Sequence, residues 1–324
     1  MADYKGIKGF KIPNVSSDPS NPIPGQIWYN STSGTLKGQV YNATGTWASG
    51  GTMNTARAQT MAGGNSTLAI VAGGAPPPGG TESETYDGTS WTEGNDLNNI
   101  SKMNTGTGTY NSALSIAGVG VDKAESWNGT SWTEISDVNV GRAQAGGAGA
   151  SNTSGMFFGG EGPSPWTDHN DKTETWNGTS WTEVNDLNTA RTQIAGCGIT
   201  TSALAAAGYD GSGYSGEVEL WNGTSWTTTT SVNTALEGRM AFAADNTSSI
   251  VSGGRSPYQG ITEQWNGSTW TEVNDLATAR YNASASGSSA NGILQGGSTS
   301  PSLGGSTTTE EWDASPATVT ITTS

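Results

Sequence analysis

One phrase recurs along the chain and constrains everything else. TWNGTSWTEVNDLNTAR at residues 175–191 returns as SWNGTSWTEISDVNVGR from Ser126, LWNGTSWTTTTSVNTAL from Leu220 and QWNGSTWTEVNDLATAR from Gln264; TYDGTSWTEGNDLNNIS from Thr85 is a looser copy. In a repeat of this kind each copy is one structural unit that buries its apolar face against its neighbours. The aromatic opening each unit sets the period. Tyr41, Tyr86, Trp127, Trp176, Trp221, Trp265 and Trp312 stand 41 to 49 residues apart. That is the length of one four-stranded propeller blade and too long for a leucine-rich repeat.

Each unit reads as four short strands. The first follows the NTAR segment, as in TQIAGCGIT. The second is small and apolar and ends on glycine, as in LAIVAGG or SIVSGG. The third carries a glutamate two residues before the aromatic: Glu84, Glu125, Glu174, Glu219, Glu263 and Glu310. The fourth carries Trp47, Trp91, Trp132, Trp181, Trp226 or Trp270. Asn-Gly or Asp-Gly between third and fourth predicts a tight hairpin with both residues at positive φ.

A double-glycine strand end, Glu-x-aromatic, a second Trp and an Arg-opened next strand resemble the kelch repeat over residues 38–313. The second unit departs from that pattern, with AGVG for the glycine pair and Lys102 near the arginine position. The resemblance and the count of units imply an all-β fold: a six-bladed kelch-type β-propeller of four-stranded antiparallel blades. Trp47 precedes the first complete unit and no TSW follows Trp312. An N-terminal strand around Trp47 is therefore expected to complete the last blade and close the ring, which removes an open sheet edge. GQVYN (38–42) competes with TTEEWD (308–313) for the third strand of that blade.

The repeated tryptophans could form a carbohydrate-stacking array, but periodic aromatics are usually core, and wedging between blades is the expected role. The repeated Arg57, Arg142, Arg191, Arg239 and Arg280 could ring an anion site; pairing with the repeated glutamates or with backbone carbonyls suits the guanidinium fork better. Function is then expected where the repeats differ. Loops between first and second strands, and between third and fourth, are short and uniform. Loops between second and third strands lie on the opposite face and vary from APPPGGTES to EGPSPWTDHNDKTE. Variable loops on a rigid scaffold are the usual place for binding. Trp166, Asp168, His169, Asp171, Tyr209, Asp210, Tyr214, Arg255 and Tyr258 are the candidates, and their aromatic, acidic and amide surroundings suit a glycan.

Composition narrows the rest. Leu, Ile, Val and Phe are scarce and the net charge is −15, a balance that leans toward disorder. Thirteen Trp, most at fixed places in a repeat, argue for a fold. The acidity disfavours nucleic acid and anionic membranes as partners. Cys197 is the single cysteine, so no internal disulfide forms. No apolar run is long enough for a transmembrane helix, and the N-terminus lacks a signal-peptide core, so a soluble protein made in the cytoplasm is expected. His169 is the single histidine, which removes most Ser/His, Cys/His and multi-histidine metal arrangements. No pair of carboxylates stands out for glycoside hydrolysis. VDKAE, DHNDK and YDGSG lack calcium-loop spacing. No enzyme activity, metal or cofactor is expected.

Residues 1–37 depart from the repeat and hold Lys5, Lys8, Lys11 and Lys37, four of the seven lysines. KIPNVSSDPSNPIPG reads as an extended arm, and GQIWYNSTSGTLKG, with Trp28 and Tyr29, as a hairpin. The arm either docks on a neighbouring copy or another acidic protein, or is a lead-in strand. Residues 314–324 form a β-prone tail that can pair with the arm or with another chain. A GQIWYN…TLKG arm before Gly/Ser/Thr/Asn-rich blades is similar to kelch-like proteins of marine bacteriophages and environmental viral sequences. That likeness implies a non-catalytic virion component: an appendage, fibre or decoration protein. Its arm would be anchored on other virion proteins or copies of itself, and its loop face could meet a host glycan. A free bacterial lectin or adhesin, secreted or at the cell surface, is the alternative; a glycan hydrolase is a third.

Overall fold

The computed structural model describes residues 12–20, 26–40, 45–75, 80–162, 168–255, 257–300, 304–314 and 317–321. They are all-β, with no helix among them, and hence none long and apolar enough to cross a membrane. The chain divides into two compact units, 46–313 and the pair of end segments 1–45 with 314–324.

Among the described residues, the larger unit contains six four-stranded antiparallel sheets. The third is typical: Gly146–Ser151, Ser154–Phe158, Thr173–Trp176 and Trp181–Val184 pair in sequence order. Its second strand is buried on both faces, as its apolar run requires, while the outer strand keeps only Trp181 inside. The first strands are Met61–Gly64, Thr105–Thr109, Gly146–Ser151, Ala195–Ile199, Met240–Asp245 and Ser284–Ser288, and each packs against the next. They approach so closely that small residues are obligatory. A Cβ on Gly147 would stand 2.4 Å from Thr105 Cγ2, and one on Gly196 2.4 Å from the Gly147 nitrogen. At these two positions a side chain would have to displace its neighbour.

Aromatic pairs tie third strands to fourth. Trp127–Trp132, Trp176–Trp181, Trp221–Trp226 and Trp265–Trp270 lie directly opposite in register, with ring centroids 5.2 to 5.4 Å apart. The turn between them differs from the expected two-residue hairpin. Only the glycine takes positive φ, as at Gly129 (93°). Asn128 instead uses its side-chain oxygen to accept from the amides of Thr130 and Ser131, an Asx turn that leaves the asparagine backbone unstrained.

The sixth sheet combines the two ends of this unit. Ser284–Ser288, Asn291–Gln295 and Thr309–Asp313 are joined by Thr46–Ser49, with Trp47 opposite Trp312. Residues 309–313 therefore supply its third strand. Gly38–Val40 belong to the other unit.

That unit is a sheet of Asn14–Val15, Ile27–Asn30, Thr35–Val40 and Ala317–Thr320, in that order. The tail pairs antiparallel with the hairpin strand. The expected extended arm is thus, over its described residues, part of a four-stranded sheet, and the expected boundary at 37/38 falls inside Thr35–Val40. The physical reason is cross-strand pairing on both sides: Gly38 faces Ile27 and Val319. Trp28 is fully buried, and Asp18 organises its surroundings. Asp18 accepts from Trp28 Nε1 (2.9 Å), Asn30 Nδ2 (2.7 Å) and Lys37 Nζ (2.7 Å). Tyr29 points outward on the same strand and is exposed. Lys5, Lys8 and Lys11 lie outside the described residues.

Candidate functional site

The repeated polar residues are engaged by the scaffold. Glu219 accepts from the Asn188 amide (2.7 Å), Asn188 Nδ2 (2.7 Å), the Thr189 amide (3.4 Å) and Arg191 Nη2 (2.9 Å). The segment connecting two sheets is thereby clamped to the third strand of the sheet it enters. Arg57–Glu84, Arg142–Glu174, Arg239–Glu263 and Arg280–Glu310 repeat the pairing at 2.6 to 3.1 Å, all buried. Burial lowers the pKa of Arg142, Arg239 and Arg280, and the paired carboxylates oppose that shift. The arginines thus face their glutamates. In the second sheet Ser101, rather than Lys102, takes the arginine's place: its carbonyl accepts from Gly74 as that of Arg191 does from Gly160, and its hydroxyl donates to the Ala117 carbonyl. Glu125 there is held by Asn98 and Asn99.

The outer tryptophans reach a neighbouring sheet. Trp226, Trp91 and Trp47 donate to the hydroxyls of Thr173, Thr309 and Thr262 at 3.0 to 3.1 Å. Trp181 and Trp270 donate to the carbonyls of Ser136 and Thr230. Trp132 Nε1 is buried with no partner among the described residues. These rings fill the spaces between sheets.

The variable loops return beside the inner strands. Isolated bridges join Ala143 to Glu161, Thr192 to Tyr209, Glu237 to Arg255 and Tyr281 to Ser298. Several candidates meet there. His169 bridges to Glu161 and its ring lies 5.3 Å from Tyr209, which in turn lies 6.3 Å from the exposed Tyr214. Tyr258 stacks on Tyr281 at 5.4 Å, and the Arg255 guanidinium lies 5.4 Å from the Tyr281 ring. Arg255 Nη2 stands 2.6 Å from Glu237 Oε1, a close ion pair without hydrogen-bond alignment. Burial raises the Glu161 carboxyl above its ordinary value, and His169 partly offsets this. Asp210 caps its own turn, accepting from Ser212 Oγ and from the amides of Ser212 and Gly213. The Ser212 hydroxyl, then those amides, lower its pKa. Asp168 is exposed, and its backbone carbonyl accepts from the Gly162 amide. Trp166 lies outside the described residues.

A further set of residues at this face was missed by sequence reasoning. Gln59, Met103, Gln144, Gln193, Gly238 and Asn282, one per sheet, all hold positive φ between 52° and 64°. Backbone bonds link them: Asn282 N to Gly238 O, Gln59 N to Asn282 O, Gln144 N to Met103 O and Gln193 N to Gln144 O, at 2.7 to 3.1 Å. Together they line the mouth of a cavity of about 120 Å³ between the first strands. The signal was present in RAQ, RAQ, RTQ and RYN, an amide two residues beyond the arginine. Non-glycine residues at positive φ are strained, and such strain clusters at functional sites. Among the described residues, no group of three or more His, Cys, Asp or Glu is arranged to hold a metal. Cys197 is buried, and burial pushes its thiol pKa up.

No protein-family model matches the chain, and no curated protein matches it. Among solved structures, that of YjhT superposes with a TM-score of 0.67 over 80% of this chain and 95% of that one, at 12% sequence identity. A likeness at that identity speaks for the fold alone. With the repeated four-stranded sheets, it makes the larger unit β-propeller-like.

Proposed function

We propose that the larger unit is a six-bladed kelch-type propeller, and that the protein is a non-catalytic structural component of a bacteriophage virion presenting a glycan-binding face. Two contacts support the closed ring: Thr46–Ser49 completes the last sheet, and Ser284–Ser288 packs against Met61–Gly64. The kelch assignment rests on the sequence motif. The virion assignment rests on the likeness of the GQIWYN…TLKG segment, whose hairpin here belongs to a separate compact unit.

The observation that carries the binding role is the shelf of His169, Tyr209 and Tyr214 beside Arg255, Tyr258 and Tyr281. Aromatic faces cover the apolar face of a sugar ring, and neighbouring polar groups fix its orientation. Glu237 is engaged by Arg255 and by Gln193 Nε2, and Asp210 by its own turn. Both carboxylates serve as positioning groups rather than as a general acid–base pair.

Cryo-electron microscopy of the native particle tests the proposal. Density for residues 1–45 and 314–324 against a neighbouring subunit, with the loop face outward, is the expected result. Absence of the chain from purified particles, with sugar binding by the isolated protein, would favour a free lectin.

A further inference from the structure

The cavity mouth holds hydrogen-bonding capacity that the fold leaves unused. Gln59 and Gln193 line it, and the Oε1 atom of each is buried without a donor among the described residues. A buried acceptor without a partner costs about 1–3 kcal/mol. Both residues also hold positive φ, which costs about 1–3 kcal/mol for a non-glycine residue. Strain and orphaned acceptors therefore coincide at the same two positions. Gln144 is occupied otherwise: its Oε1 accepts from Thr192 Oγ1 (3.2 Å) and its Nε2 donates to Met103 Sδ (3.3 Å).

One or two residues further along the chain the lining is apolar on one side, with Ala145, Ile194 and Ala195 next to Gln144 and Gln193, and polar at Thr60, Asn104 and Thr105, where the Asn104 Oδ1 atom is likewise buried without a donor among the described residues. A matching group must donate N–H or O–H to amide oxygens and carry a small apolar cap. An ammonium group suits it poorly, because Glu237, the carboxylate that accepts from Gln193 Nε2, is already paired with Arg255. A hydroxyl satisfies the amides but leaves the apolar wall in contact with water. An acetamido group does both: its N–H meets a glutamine oxygen and its methyl meets the alanine-lined wall. The shelf is adjacent, since Tyr209 pairs with Thr192, the residue before Gln193.

We propose that the mouth is a subsite for the acetamido group of an N-acetylated sugar whose ring lies on the Tyr209–Tyr214 shelf. The proposal rests on the reading of this face as glycan-binding.

Calorimetric titration of the intact chain with N-acetylglucosamine oligosaccharides, their deacetylated forms and the corresponding glucose oligosaccharides tests it. The acetylated sugar is expected to bind about ten-fold tighter than the glucose form, roughly the worth of one net hydrogen bond. Gln193→Gly, at the glutamine beside the shelf and suited to the local φ, is expected to erase that preference while glucose binding persists. Perturbation of the glutamine side-chain amide resonances in the unmodified protein gives the same readout without relying on variants. Equal affinity for acetylated and glucose forms, with both lost in Tyr209→Ala, would overturn the acetamido subsite and leave the glycan face standing. No binding to any member of a broad glycan array would overturn both.

Discussion

The Arg191 guanidinium and the Glu219 carboxylate lie 2.9 Å apart with neither side chain exposed. The same carboxylate also holds the amides of Asn188 and Thr189. Removing one member of a buried pair strands the other charge, a loss of about 3–5 kcal/mol. Arg191→Leu should fall in that range in urea denaturation. Arg191→Leu combined with Glu219→Gln should cost less than the sum of the single changes, because the uncompensated charge is gone. Additive costs would show that the two groups act independently.

Trp226 and Trp132 occupy equivalent places but differ at the indole nitrogen. Trp226 donates to Thr173 Oγ1 across the sheet boundary, whereas Trp132 Nε1 has no partner among the described residues. Trp226→Phe loses a hydrogen bond as well as ring area and leaves the threonine hydroxyl without its donor. It should destabilise by about 1 kcal/mol more than Trp132→Phe. Equal thermal shifts for the two variants would refute a role for the cross-sheet bond.

The scaffold was legible because the same packing problem is solved in each repeat. Glutamate, arginine and two tryptophans recur in fixed order, and their roles follow from that order. The mouth was less legible. Gln59, Gln144, Gln193 and Asn282 look like ordinary polar positions beside the arginines, and only their φ values and shared cavity distinguish them. The sixth sheet was half legible, since GQVYN and TTEEWD both have strand character. Long-range pairing decided between them, as Trp47 faces Trp312. The ends were partly legible: the β-prone tail was expected to pair with the arm region, and it pairs with the hairpin strand Thr35–Val40, while Asn14–Val15 joins the hairpin's other side through two residues too few to carry a strand pattern.

Tyr86 should titrate late. Burial first, and then its hydrogen bond to Glu311, raise the phenol from 10.0 to about 12. The folded value lies above the unfolded one. The stabilisation tied to the neutral phenol is therefore complete below about pH 10 and is lost as pH rises toward about 12. Ultraviolet titration of tyrosinate should show one of the nine tyrosines ionising near pH 12 until unfolding begins, and Tyr86→Phe should remove that component. A Tyr86 titrating at pH 10 would contradict the buried contact with Glu311.

Gly196 tests the close approach of the first strands. A Cβ there would lie 2.4 Å from the Gly147 nitrogen and 2.8 Å from Gly146 Cα and carbonyl carbon, all backbone atoms. The facing atoms are backbone of one adjoining strand, with no flexible side chain to yield, so the two strands must separate. Gly196→Ala should cost about 1–3 kcal/mol or more, as overpacking does. Gly213, in a variable loop, has nothing within 4 Å of such a Cβ, and Gly213→Ala should stay within about 0.5 kcal/mol of the parent. Thermal unfolding of the two variants side by side separates the explanations. Matching midpoints would mean that the small residues of the first strands reflect sequence bias. A loss confined to Gly196→Ala would mean that strand spacing sets the composition.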